Sequence, residues 1–151
     1  MKFIADVMLG KLAKWLRIAG IDVLYNNKNN DDQLVIISNN QKRILLTRDR
    51  KLAVDKRLKE VILIENELID KQLKEFFEKT HYKELDFFTR CILCNEMLEV
   101  VIKKHEIKEK VPIYTYLTHD EFSICNKCGR IFWKGTHRNN MKRKFEELLI
   151  E

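Results

Sequence analysis

The chain has 151 residues, 45% hydrophobic and 34% charged, and its 29 Lys+Arg against 23 Asp+Glu leave a net charge of +6. This balance excludes a disordered chain, and no apolar run approaches the roughly 18–20 residues of a membrane span. With 4 Gly and 1 Pro, collagen-like and linker-rich architectures are excluded as well. The opening run meets Asp6 after the apolar Phe3, Ile4 and Ala5 and carries no cleavage signature. It is therefore not expected to be a signal peptide, and the expected location is the cytoplasm. The positive balance favours an anionic partner such as nucleic acid or a membrane surface.

Lys2–Ala5 reads as a strand with a polar stop at Asp6, and Gly10–Ile18 as a helix with Leu12, Trp15 and Leu16 at helical spacing. Gly20 sits where a glycine ends a helix. Ile21–Tyr25 reads as a second strand and 26–30 as a polar loop. Asp31 or Asp32 is expected to cap a helix running to about Asn39. Arg43–Thr47 is a third strand, 49–58 a short helix, Val61–Ile64 a fourth strand and Leu68–Lys79 a fourth helix. Strands and helices in strict alternation predict a parallel sheet with helices on both faces over residues 1–86.

The texture changes near residues 86–90. Cys91-Ile92-Leu93-Cys94 and Cys125-Asn126-Lys127-Cys128 stand 30 residues apart and bracket strand-like runs at 97–102 and 122–124. Two thiolates separated by two residues reach one metal from a tight turn, and two such turns complete a tetrahedral four-sulfur site. Cys91, Cys94, Cys125 and Cys128 are thus expected to hold a structural zinc, a closed site with no position for substrate. Residues 87–151 are expected to form a small β-rich zinc ribbon that ends in a basic helix over 140–151. Between Lys127 and Phe145 seven basic residues, among them Arg130 and Lys134, stand without an acidic one, interleaved with Phe132 and Trp133. Such a surface attracts phosphates and offers rings to unpaired bases, or it is a solvated face whose aromatics pack over the zinc turn.

In a parallel α/β sheet, sites form beyond the carboxyl ends of the strands. Asp6 follows the first strand, Asp49 follows the third, and Asp31 and Asp32 open the helix that leads into it. Converging carboxylates are hard ligands for Mg²⁺ or Mn²⁺, which serve phosphodiester hydrolysis. Each aspartate taken alone also suits a helix cap or turn. Lys11, Lys14 and Arg17, on the first helix near the same strand ends, are candidates to contact substrate phosphates. Arg48 could do the same or pair with a neighbouring acid.

The run Phe3-Ile4-Ala5-Asp6-Val7-Met8-Leu9-Gly10-Lys11-Leu12-Ala13-Lys14-Trp15-Leu16-Arg17 resembles the opening signature of the Mut-seven C-terminal RNase domain family. Asp31-Asp32-Gln33-Leu34, Ile44 to Asp49 and the knuckles with Cys128-Gly129-Arg130-Ile131-Phe132-Trp133-Lys134-Gly135 continue the match in order and spacing. The resemblance implies a PIN-type nuclease domain joined to a C-terminal zinc ribbon. It also implies metal-dependent cleavage of RNA, expected to be single-stranded, with Asp6, Asp32 (or Asp31) and Asp49 in the acidic site. Two other classes compete: a non-catalytic RNA- or ribosome-binding adaptor that works through the ribbon and basic tail, and a phosphoacceptor receiver domain. The receiver reading lacks the acidic pair it needs after the first strand, because Asp6 is followed by Val7 and Met8.

Overall fold

Residues one apart on a strand face opposite sides of a sheet, and here both sides are buried. In the computed structural model, which describes residues 1–149, strands β1 (Phe3–Ala5), β2 (Val23–Leu24), β3 (Ile44–Thr47) and β4 (Val61–Leu63) form a parallel sheet in the order β2-β1-β3-β4. Phe3, Ala5 and Leu46 pack on one face with Leu12 and Leu16 of α1 (Gly10–Ile18) and Leu73 and Phe76 of α4 (Ile69–Thr80). Ile4 and Leu45 face the other way, against Leu34 and Val35 of α2 (Asp31–Asn40) and Leu52 of α3 (Arg50–Ala53). Phe3 and Phe76 are fully buried and meet edge-to-face at 5.0 Å, and burial of such a side chain is worth about 1.5–3 kcal/mol. The expected α/β architecture with helices on both faces is the one observed.

Several boundaries differ for local reasons. Asn30, not Asp31 or Asp32, caps α2: its side chain accepts from the Gln33 N–H at 2.8 Å while the Gln33 side chain accepts from the Asn30 N–H at 2.9 Å. This capping box leaves both aspartates in the first turn, exposed. The third helix stops at Ala53 instead of reaching residue 58. The Asp55 carboxylate takes the Arg57 N–H at 2.9 Å and the Arg57 guanidinium as well, and this local turn competes with helix continuation.

Gly20 ends α1 as expected, with φ +85°. A Cβ there would collide with the carbonyl oxygen of Asp86, where the chain returns and the Asp86 N–H donates to the Ala19 carbonyl at 3.0 Å. Gly20→Ala is therefore expected to cost at least about 2 kcal/mol, since the left-handed conformation alone costs an alanine about 1–2 kcal/mol. Urea unfolding checks this, and an unchanged midpoint would contradict it.

The second half contains a three-stranded antiparallel sheet in the order β5-β6-β7, made of Glu99–Val100, Phe122–Ile124 and Ile131–Trp133. The strand at 131–133 and the short helix α5 (Ile113–Thr118) were not expected. The charged stretch before α5 winds into a 3-10 turn, Lys104–Lys110, whose Ile107 closes a small core with Val111 and Phe122. Helix α6 spans Thr136–Leu149, and the last two residues of the expected helix lie outside the described residues. It returns to the first half and buries Phe145 completely, with ring contacts to Trp15 (5.6 Å), Phe77 (6.3 Å) and Phe87 (5.3 Å). The basic C-terminal helix is thus also a packing element. Among the described residues no helix is long and apolar enough to cross a membrane.

Candidate active site and metal centre

The chain runs from β1 to β2 on one side of the sheet and then crosses to β3 on the other, so the strand order reverses between β1 and β3. Asp6 and Asp49 follow these two strands, at the crevice where α/β proteins place their ligands. Asp6 is only 4% exposed. Its Oδ1 accepts from the Met8 N–H (2.8 Å), and its Oδ2 accepts from the Thr47 hydroxyl and the Arg48 N–H (2.9 Å). The Thr47 oxygen in turn accepts from the Asp49 N–H at 3.0 Å. One buried hydroxyl therefore ties the Asp6 carboxylate to the backbone of Asp49. Asp49 caps α3 through Oδ1, which takes the N–H groups of Lys51 (2.8 Å) and Leu52 (3.3 Å). Among the described residues its Oδ2 accepts no hydrogen bond.

Asp31 and Asp32 lie at the start of α2, both exposed. Asp32 pairs with Arg57 at 2.9 Å, and Arg57 is also held by Asp55 at 2.8 Å. That arginine keeps the Asp55 carboxyl down at about 2. Exposed pairs of this kind are worth about 0–1 kcal/mol, so Asp32 is held only weakly away from other cations. Among the described residues, Asp6, Asp32 and Asp49 do not close into a cluster of ligand atoms as the cysteines do.

A cleft of about 570 Å³ opens beside Asp6, lined by Met8, Lys11, Arg48, Lys71 and Lys144 together with the start of α4. Met8 and Arg48 each hold Asp6 through the backbone and turn a side chain to the cleft. Among the described residues the Arg48 Nε is buried with no hydrogen-bond partner, and the rest of its guanidinium reaches only the Glu65 carbonyl at 3.5 Å and Glu67 at 3.9 Å. A buried donor left unpaired costs about 1–3 kcal/mol. An anion in the cleft would repay that cost.

The cysteines do converge. Their four sulfurs all lie within 4.8 Å of one another, and Cys91 and Cys128 are 3.8 Å apart. A tetrahedron with Zn–S bonds of about 2.3 Å has edges of about 3.8 Å, so the set fits zinc. Both knuckles have one design: Asn95 (φ 67°) and Gly129 (φ 78°) follow the second cysteine in the left-handed conformation, and each donates its N–H to the carbonyl of the first, Cys91 at 2.9 Å and Cys125 at 2.7 Å. Desolvation pushes the Cys91 thiol up and the Cys94 thiol up to about 12, whereas the Arg130 N–H draws Cys128 down to about 7. Thiolates this close need a cation among them.

The family model for the Mut7-C RNAse domain matches residues 1–145. The chain belongs to this family. No curated protein and no solved structure gives a match. Nearly the whole Mut7-C chain is covered, so the acidic crevice and the four-cysteine cluster both lie within the matched residues.

The remaining expected substrate residues divide. Lys11 and Lys14 are exposed on α1, and Lys11 lines the cleft. Arg17 does not serve as expected: it is buried, and its guanidinium donates to the carbonyls of Val23 (2.9 Å) and Ile92 (2.9 Å), joining the sheet edge to the first knuckle. Arg130 is exposed at the second knuckle, away from Trp133 and Lys134, which share a cavity on the antiparallel sheet. Thr47 was missed as a site residue, although a threonine that ends an apolar strand immediately before Arg48-Asp49 was a signal for it. Lys144 belongs by sequence to the basic run that ends at Phe145. It lines the cleft and pairs with Asp70 at 2.7 Å.

Proposed function

We propose that this Mut7-C protein is a divalent-metal-dependent ribonuclease with a PIN-like nuclease domain, acting on single-stranded RNA in the cytoplasm. The observation that carries the reading is the placement of Asp6 and Asp49 at the sheet's switch point, the Asp6 carboxylate bonded through Thr47 to the Asp49 backbone N–H, beside a cleft where, among the described residues, Arg48 has an unpartnered buried donor. Two carboxylates fit Mg²⁺ or Mn²⁺, because such ions keep several waters and take one or two protein carboxylates in this chemistry. Asp6 and Asp49 would hold the ion, and Asp32, released from Arg57, would join them or orient a water, with Asp31 assisting. Once bound, the ion supplies an activated water and neutralises charge building on the phosphodiester. Thr47 fixes the Asp6 carboxylate. Lys11, Arg48 and Lys144 hold the flanking phosphates, with Lys14 alongside. The second half, with Arg130, Trp133 and Lys134, supports the strand, and the four cysteines hold a structural zinc. Four free thiols suit the reducing cytoplasm.

The test is cleavage of a labelled single-stranded RNA by the zinc-loaded chain, with added Mn²⁺ or Mg²⁺ and without. Cleavage is expected only with the added ion. Arg48→Gln, which keeps the backbone N–H that holds Asp6, is expected to lower kcat/KM by roughly 10-fold or more, as loss of a charge-assisted contact of about 1.5–3 kcal/mol implies. Cleavage indifferent to added metal would sink the proposal. The adaptor reading is favoured by one observation, the commitment of Asp32 to Arg57. It predicts RNA binding without cleavage under any metal.

A further inference from the structure

The acidic crevice leaves a second cavity unused. It measures about 430 Å³ and lies between residues 86–89 and the antiparallel sheet, with Phe88, Phe132, Lys134 and Arg138 in its walls beside the acids Asp86 and Glu121. Arg138 enters it from the first turns of α6. Its guanidinium stands 5.2 Å from the ring centroid of Phe88 and 5.2 Å from that of Phe132, held between the two faces. Among the described residues it has no carboxylate partner and its guanidinium donates no hydrogen bond. Burial lowers its pKa from the ordinary arginine value, which marks how poorly this cation is solvated. Lys134, at the rim, has only a loose exposed pairing with Glu121 at 3.5 Å.

Flat rings set around a fixed fork of N–H donors match one class of ligand, a nucleotide. Base-on-aromatic stacking is worth about 1–3 kcal/mol per base and needs an unpaired base. A guanidinium without a carboxylate binds a phosphate oxygen pair in the geometry it prefers. An acidic peptide would use the cation and leave the rings idle. The volume falls at the lower end of the about 300–1,000 Å³ range of small-ligand sites, which suits one nucleotide better than a duplex.

We infer that this cavity is an RNA subsite distinct from the acidic crevice, taking one unpaired nucleotide with its base against Phe132 and its phosphate on Arg138 and Lys134. The inference rests on the proposed action on RNA, and it extends the substrate contact to Phe88, Phe132 and Arg138. Phe88 bonds back through its N–H to the Ile18 carbonyl at the end of α1 (2.9 Å). The subsite is thereby fixed to the half that carries the acids.

The test is fluorescence anisotropy of a labelled oligouridylate of about eight nucleotides, within the about 4–16 spanned by such sites. It uses the zinc-loaded chain without added Mg²⁺ or Mn²⁺, so binding is read apart from cleavage. Arg138→Gln is expected to raise Kd about 10-fold and to reduce the slope of log K against log salt by about 0.7, the value for one phosphate on a single strand. Phe132→Leu is expected to raise Kd about 10-fold with the salt slope unchanged, and fully paired RNA is expected to bind more weakly than the single strand. Unchanged affinity in both variants, or no binding by the wild type, overturns the subsite. So does displacement of the strand by oligoglutamate at equal charge. If RNA is cut normally while Arg138→Gln binds like the wild type, the subsite fails and the nuclease reading stands. If Arg138-dependent binding is found without any cleavage, the subsite stands and the nuclease reading fails.

Discussion

Asp49→Asn is expected to abolish most metal-dependent RNA cleavage, by at least about 100-fold, while leaving the melting temperature within roughly 2 °C. Even a residue that only supports a metal ligand typically costs about 10–100-fold when changed, and Asp49 is proposed as a ligand itself. The fold is spared for a local reason. The cap on α3 uses Oδ1 alone, for the N–H groups of Lys51 and Leu52, and asparagine keeps one acceptor oxygen and is as good a cap as aspartate. The amide nitrogen then takes the place of Oδ2, which accepts nothing among the described residues. Asp6→Asn is a poorer variant for the same question. Both Asp6 oxygens accept, from Met8, Thr47 and Arg48, so an amide nitrogen on either side meets a donor. That mismatch costs about 1–3 kcal/mol, or roughly 2–12 °C at 2–4 °C per kcal/mol for a chain of this size. Loss of cleavage in Asp6→Asn alone would therefore mix chemistry with folding. Full cleavage by Asp49→Asn would remove Asp49 from the metal site.

The fold was legible where the signal was local. Apolar runs of three or four residues between amphipathic stretches imply a parallel sheet, and Gly20 and the spaced cysteines mark their own turns. The misreadings all involve a choice among partners that only tertiary structure makes. Asn30, Asp31 and Asp32 are all good caps; the reciprocal Gln33 contact selects Asn30. Arg17 reads like its neighbours Lys11 and Lys14, but it faces β2 and the first knuckle and is buried with both bonds satisfied. The basic tail reads as a phosphate-binding surface or a solvated face, yet the rings of Trp15 and Phe87 order it. Lys144 lies 5.0 Å over Trp15, Lys142 5.7 Å over Phe87, and Phe145 fills the core between them. A threonine at a strand end, such as Thr47, is ordinary until its hydroxyl is seen to bridge the Asp6 carboxylate and the Asp49 N–H.

Cys91→Ser is expected to lose zinc and to lower stability by more than about 3 kcal/mol, a fall of roughly 6–12 °C in melting temperature at this size. The effect should extend beyond the small antiparallel sheet, because the first knuckle is bonded into the parallel one. Arg17 of α1 donates to the Ile92 carbonyl, and Arg90 donates to the carbonyls of Gly20 (3.1 Å) and Asn95 (2.9 Å). Asn95 accepts from the Val23 N–H (3.0 Å) and donates to Asp22 (2.6 Å), which also takes Arg43 at 2.7 Å. Burial alone would raise the Asp22 carboxyl, but the bonds from Arg43 and Asn95 outweigh it and hold it low. An opened knuckle thus removes Asn95 from Asp22 and strips the β2 edge of its outer partners. Zinc occupancy should fall as the solution is acidified, since the raised Cys91 and Cys94 thiols must surrender protons to bind metal and those protons compete for the sulfurs. Release followed with a metallochromic dye, alongside amide exchange at Val23, checks both parts. Zinc retained by Cys91→Ser, or zinc lost with Val23 as protected as before, would separate the metal from the junction it is expected to hold.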